Sequence, residues 1–205
     1  MRKILIILLM LTLTGCSIVR IDVSSIDNTV DVILSKKNTL YNEDGQGYKY
    51  YIPNGVTHID TNDLMHTLYY NGEYLYLYVD IVSYYYKSKI NYKRSNNSYF
   101  YKKINNGKQN GYVEVTKQDN LYYVNFYYNY ARIEALVTKE NLNTTIMNAS
   151  YILSTINYNK KLIKTMLDEE YFTNKTGKYD LYKTTEKTEK FVLQKDKEGE
   201  WLWSF

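Results

Sequence analysis

Hydrophobic positions along the chain change period several times, and each change marks an element. Ile26, Val30, Ile33 and Leu34 recur at helical spacing behind Ser24 or Ser25 as N-cap, which predicts a helix over about 25–37. Asn38 to Gly47 reads as a polar loop. The period then falls to two. Tyr48–Ile52 and Val56–Asp60 read as short strands about the turn Pro53-Asn54-Gly55. Asn71-Gly72 lies between two β-rich runs, His66–Tyr70 and Glu73–Tyr86, and is the strongest hairpin signal in the chain. Read as one strand, the second run has an aliphatic face of Leu75, Leu77, Val79 and Ile81. Tyr74, Tyr76, Tyr78, Val82, Tyr84 and Tyr86 lie opposite, interrupted by Asp80.

A polar basic loop over 87–97 follows, then Ser98–Ile104 and Gly111–Thr116 across Asn105-Asn106-Gly107, then Leu121–Tyr128 and Tyr130–Val137. Thr138 is placed to cap a helix over about 139–156, whose stripe is Leu142, Ile146, Ala149, Leu153 and Ile156. Its other side carries Asn141, Thr144, Asn148 and Thr155, and a second helix covers about 160–169. Tyr179–Lys183 is a candidate edge strand, and Thr184 to Lys190 is charged and of low complexity. Phe191–Gln194 and Glu200–Phe205 either pair across Lys197-Glu198-Gly199 or form a loose tail. Helix, strand meander, then two helices predict an α+β fold: a single antiparallel sheet with the helices on its aliphatic face.

The first residues follow a different logic. Arg2 and Lys3 precede the apolar run Ile4 to Leu13, the length of a signal-peptide core and too short to span a bilayer. Leu13-Thr14-Gly15-Cys16 then resembles the lipobox of bacterial lipoproteins. That resemblance implies cleavage before Cys16, a diacylglyceryl thioether on its sulfur, and anchoring to the outer face of the cell membrane without spanning it. Two or more acyl chains hold stably where one holds marginally. The expected organisation is a signal peptide over 1–15, a lipidated tether over 16–24, an α+β domain over 25–183 and a charged tail over 184–205 ending in an aromatic segment. The whole chain also resembles small tyrosine-rich lipoproteins of low-GC Gram-positive-type bacteria, which implies no particular chemistry. Tyr50-Tyr51-Ile52-Pro53-Asn54-Gly55-Val56 with the meander after it resembles the PsbP/Mog1-type fold over about residues 48–158, with Val56 where that family often has Trp.

Cys16 is the only cysteine, so once it is lipidated neither disulfides nor cysteine-ligated metals remain. The net charge is +4; without Arg2 and Lys3 it is about +2, too balanced for a dedicated nucleic-acid binder. The 26 Tyr against 5 Phe are the compositional oddity, because a hydroxyl-bearing aromatic suits half-wet surfaces.

Chemistry is sparse. His58 and His66 lack the close spacing that places two imidazoles on one metal, so no metal site is expected. There is no P-loop, no G-x-G-x-x-G and no G-x-S-x-G elbow. Asp168-Glu169-Glu170 closes a predicted helix and reads as a solvated face. No cofactor is expected. Tyr74, Tyr76, Tyr78, Tyr84 and Tyr86 are either a second core layer or a binding face for a glycan, peptide or envelope protein. Lys87, Lys89, Lys93 and Arg94 beside them add anionic attraction or simply solvate a loop. The expectation is a non-enzymatic binding or interaction module of the cell envelope. Its alternatives are an envelope hydrolase with an unrecognised site and a transporter-associated binding lipoprotein.

Overall fold

A computed structural model describes residues 26–62, 64–89, 92–107 and 109–168, with the backbone of 193–195 and 201–203. Cys16, the leader, the tether, Ser24 and Ser25 lie outside the described residues, as do 179–183 and 184–190.

Seven antiparallel strands form the main sheet: β3 (Thr57–Asn62), β4 (Met65–Tyr70), β5 (Glu73–Val79), β6 (Ser98–Asn106), β7 (Gln109–Gln118), β8 (Leu121–Tyr128) and β9 (Ala131–Val137). Their spatial order is β3-β4-β5-β9-β8-β7-β6. The chain lays down three strands from one edge, crosses to the far edge, and returns until β9 pairs with β5 in the middle. Asn71 (φ 49°) and Gly72 (φ 88°) make the β4–β5 turn, as the sequence predicts. The expectation of a single sheet is corrected. β1 (Glu43–Gly45), β2 (Tyr48–Tyr50) and β10 (Asn157–Tyr158) form a separate three-stranded sheet, and β11 (Leu193–Lys195) pairs antiparallel with β12 (Trp201–Trp203).

Pairing register sorts side chains onto two faces. Leu68, Leu75, Ala135, Val124 and Val115 form one cross-strand row, and Leu77, Ile133, Phe126 and Val113 form the row adjacent. All nine are buried. Helix α3 (Lys139–Thr155) lies over β8 and β9 on this face, and α1 (Ile26–Leu34) packs against α3. Lys102 on β6 bridges Asp27 and Asp31 of α1 at 2.8 Å each, and Asn106 donates to the Leu34 carbonyl at the helix end (2.7 Å). Thr138 is the N-cap of α3 by position, but its hydroxyl makes no capping bond. Its backbone N–H instead donates to Glu73 (2.7 Å). Asn148 and Thr155, expected on the solvent side, are buried, and Thr155 accepts from the Tyr51 N–H at 3.0 Å.

The run Glu73–Tyr86 is not one strand. β5 stops at Val79, and Asp80 accepts a bond from the Ser83 N–H (2.7 Å), capping a short helix α2 (Ile81–Tyr86). Tyr84 and Tyr86 therefore leave the row of Tyr74, Tyr76 and Tyr78. A capping side chain three residues before its donor outweighs the β preference of the aromatic residues that follow. Helix α4 (Lys160–Asp168) packs against α2.

Candidate functional site

The second face of the sheet is the tyrosine face. One row reads Met65, Tyr78, Arg132, Tyr127, Tyr112 and Lys103; the next reads Thr67, Tyr76, Glu134, Asn125, Glu114 and Tyr101. Arg132 pairs with Glu134 at 3.0 Å and lies 5.3 Å over the Tyr78 ring. Burial pushes the Tyr78 and Tyr112 hydroxyls up to about 12, and Tyr76 is raised for the same reason. These phenols stay protonated and so remain hydrogen-bond donors.

The crossover from α2 to β6 passes over the far half of this face. Glu114 holds it: the Tyr92 hydroxyl, the Ser95 N–H and the Ser98 hydroxyl all donate to its carboxylate. Tyr92 stacks on Tyr112 with centroids 3.6 Å apart. Glu114 itself is buried, which raises its carboxyl above the ordinary range. Arg94 sits 5.7 Å from the Tyr101 ring.

Between this crossover and the β8–β9 turn lies a cleft of about 480 Å³. Its walls carry Lys87, Lys89 and Lys103, and Tyr92, Tyr101, Tyr127 and Tyr130, with Asn110, Gly111 and Asn129 at the strand ends. The volume falls in the range of small-ligand sites. All three lysines are exposed. Among the described residues none is ion-paired, so three positive charges face one opening.

The backbone around this cleft is unusual. Five non-glycine residues among those described have positive φ, and three line the cleft: Lys87 (53°), Asn129 (50°) and Tyr130 (62°). Asn tolerates that region; Lys and Tyr do so at a cost. Lys87 closes α2, with its N–H on the Tyr84 carbonyl and the Ser88 N–H on Ser83, a place glycine usually fills. Tyr130 packs edge-on against Tyr84 (5.8 Å), and Tyr84 stacks on Tyr158 (3.9 Å).

The expected face is thus split. Tyr74 and Tyr76 stack at 6.4 Å on β5, with Tyr74 exposed, and Tyr78 is buried beside them. Tyr84 belongs to the aromatic stack behind the cleft, and Tyr86 is exposed on α2. Of the basic loop, Lys87 and Lys89 line the cleft. Tyr92 joins them from the same loop, and Lys103, Tyr101, Tyr127 and Tyr130 join from distant positions, without a local signal in the sequence.

A second polar cluster lies on the aliphatic side of β3 and β4. A bulge between His58 and Asp60 brings His58 and Thr61 to the same face as His66. His66 is 2% exposed. Its Nε2 meets the Tyr48 hydroxyl, and its Nδ1 meets Tyr50 (3.1 Å) and Thr61 (3.0 Å). A neutral imidazole offers one donor and one acceptor, and these hydroxyls serve both. Burial first, then His58 nearby, lowers its pKa from 6.5 to about 4. His58 Nε2 contacts the Thr61 hydroxyl (2.8 Å) and the Asp60 carbonyl (3.0 Å), and its Nδ1 lies 3.5 Å from Glu43.

Among the described residues no three His, Cys, Asp or Glu side chains are placed to hold a metal, and no helix is long and apolar enough to cross a membrane. Compared with known proteins, the chain matches no family model, no curated protein and no solved structure.

Proposed function

We propose that this protein is a lipid-anchored binding module on the outer face of the cell membrane, tethered through Cys16 and without catalytic activity. Its ligand site is the cleft beside α2. The observation that carries the reading is the lining: three lysines without acidic partners among the described residues and four tyrosines around about 480 Å³. Lysines supply attraction and tyrosines supply ring area with a polar tip, which is the chemistry of an envelope glycan or glycan-bearing partner. Tyr74, exposed on β5, and Tyr76 beside it continue the tyrosine face, and Tyr84 supports the cleft from behind.

The test is retention of envelope polysaccharide by the full-length chain in nonionic detergent, against a K87A/K89A/K103A variant. Strong retention by the parent and loss in the variant supports the reading; equal retention overturns it. Mass spectrometry checks the anchor: membrane-fraction protein with an unmodified Cys16 removes the lipoprotein half of the proposal.

An envelope hydrolase is the second reading, favoured by the line Glu43–His58–Thr61, a carboxylate, an imidazole and a hydroxyl in sequence. The Asp60 carbonyl on the same His58 nitrogen calls for a proton there, which removes the base. Ester hydrolysis abolished by T61A would restore it.

A further inference from the structure

Resting on the cleft as a binding site, we infer that its ligand is a phosphate-bearing sugar or polyol. Three features of the cleft point to that class. Lys87 and Lys89 approach from the crossover that leaves α2, and Lys103 approaches from β6. Ammonium groups on flexible stems are point charges that suit a multiply charged, roughly spherical anion. A single carboxylate leaves at least one of the three without a partner.

Tyrosines occupy the remaining wall. Tyr92 and Tyr101 lie nearly parallel (16°) with ring centroids 6.2 Å apart, and they give this wall the aromatic area against which the C–H face of a sugar ring packs. The phosphate then reaches the lysines while the ring covers the aromatics. The cleft volume suits one phosphorylated monosaccharide unit, free or within a polymer.

The third feature is conformational. The β8–β9 turn uses Asn129-Tyr130, whereas the same chain makes the β4–β5 turn with Asn71-Gly72. Backbone geometry alone therefore favours glycine at Tyr130, and also at Lys87. Both strained residues line the cleft. Strain of this kind gathers where a side chain is needed for something other than folding. Tyr130 recovers part of the cost by packing on Tyr84.

Isothermal titration of the full-length chain in nonionic detergent with glucose 6-phosphate, glucose, glucuronate and inorganic phosphate tests the class. Glucose 6-phosphate binds, phosphate competes more weakly, glucose and glucuronate bind at least tenfold less tightly, and affinity falls as salt rises. K87G melts at a higher temperature than the parent and binds about tenfold less tightly, because the strain and the charge leave together. Glucuronate or glucose binding as well as glucose 6-phosphate overturns the phosphate assignment. K87G with unchanged affinity overturns the role of Lys87. If glucose 6-phosphate fails while polysaccharide is still retained in a lysine-dependent way, the ligand class is wrong and the binding module stands. If neither is held, the binding reading itself falls.

Discussion

Acidification is the sharpest probe of the polar cluster under β3 and β4. His66 has a pKa of about 4 in the folded protein against 6.5 when exposed. Below 6.5 the unfolded chain takes up a proton that the native ring refuses, so stability present at neutral pH is lost as pH falls toward 4. At about 1.4 kcal/mol per tenfold change, the full loss is about 3 kcal/mol, a large share of a typical domain's stability. The ring is 2% exposed, so solvent screening relieves little of this. The groups facing it are the hydroxyls of Tyr48, Tyr50 and Thr61 and the imidazole of His58, with Glu43 beyond. Glu114 and Asp80, both raised by burial, act in the opposite direction, because the native state takes their protons first. Urea unfolding followed by circular dichroism from pH 7 to pH 4, on the parent and on His66→Gln, isolates the histidine by difference. The parent should lose about 3 kcal/mol more than the variant across that window. Equal pH dependence in the two proteins would refute the assignment of a neutral buried His66.

Four further substitutions test the fold. Asp80→Ala removes the cap of α2 and should cost about 1 kcal/mol in urea unfolding, whereas Thr138→Ala, whose hydroxyl caps nothing, should change stability by less than about 0.5 kcal/mol. Leu77→Ala, at the centre of the sheet and fully buried, should cost about 2–5 kcal/mol by the same assay. A Cβ at Gly111 would lie 2.2 Å from the Tyr127 carbonyl oxygen, so Gly111→Ala should lower the melting temperature and disturb the β7–β8 pairing seen by amide exchange.

What the sequence made legible was whatever local chemistry decides. Asn71-Gly72 dictates its turn, Leu121–Tyr128 is bounded as expected, and the stripe of α3 starts after Thr138. Glu43–Gly45 has no strand propensity and becomes β1 only because β2 supplies backbone partners, a cause invisible in the segment itself. Ile81–Tyr86 reads as strand by side-chain type, and a single bond from Ser83 to Asp80 turns it into helix. Register then explains why the cleft escaped notice. Lys103, Tyr92 and Tyr127 meet across three segments of the sheet's far half, and period-two patterning says which face each occupies but not its neighbour. Of the five tyrosines expected on one face, β5 carries three, and α2 turns the other two away.

The strand order has a consequence for how the molecule assembles. One run of neighbours, β3 to β5, and another, β6 to β9, each build from adjacent hairpins, and the two meet along the β5–β9 seam. Closing that seam ties together residues 52–60 positions apart, an entropic cost on the order of 3–4 kcal/mol and larger than the one each hairpin faces. The protein is in this sense two local folding units and one weld, and the weld joins Leu75 and Leu77 to Ala135 and Ile133 at the centre of the core. The segment that spans the gap between the units is also the segment that carries Lys87, Lys89 and Tyr92. Every lining residue of the cleft lies on that segment or on the second unit, so the ligand surface is built by the later half of the chain while β3 to β5 contribute none of its walls.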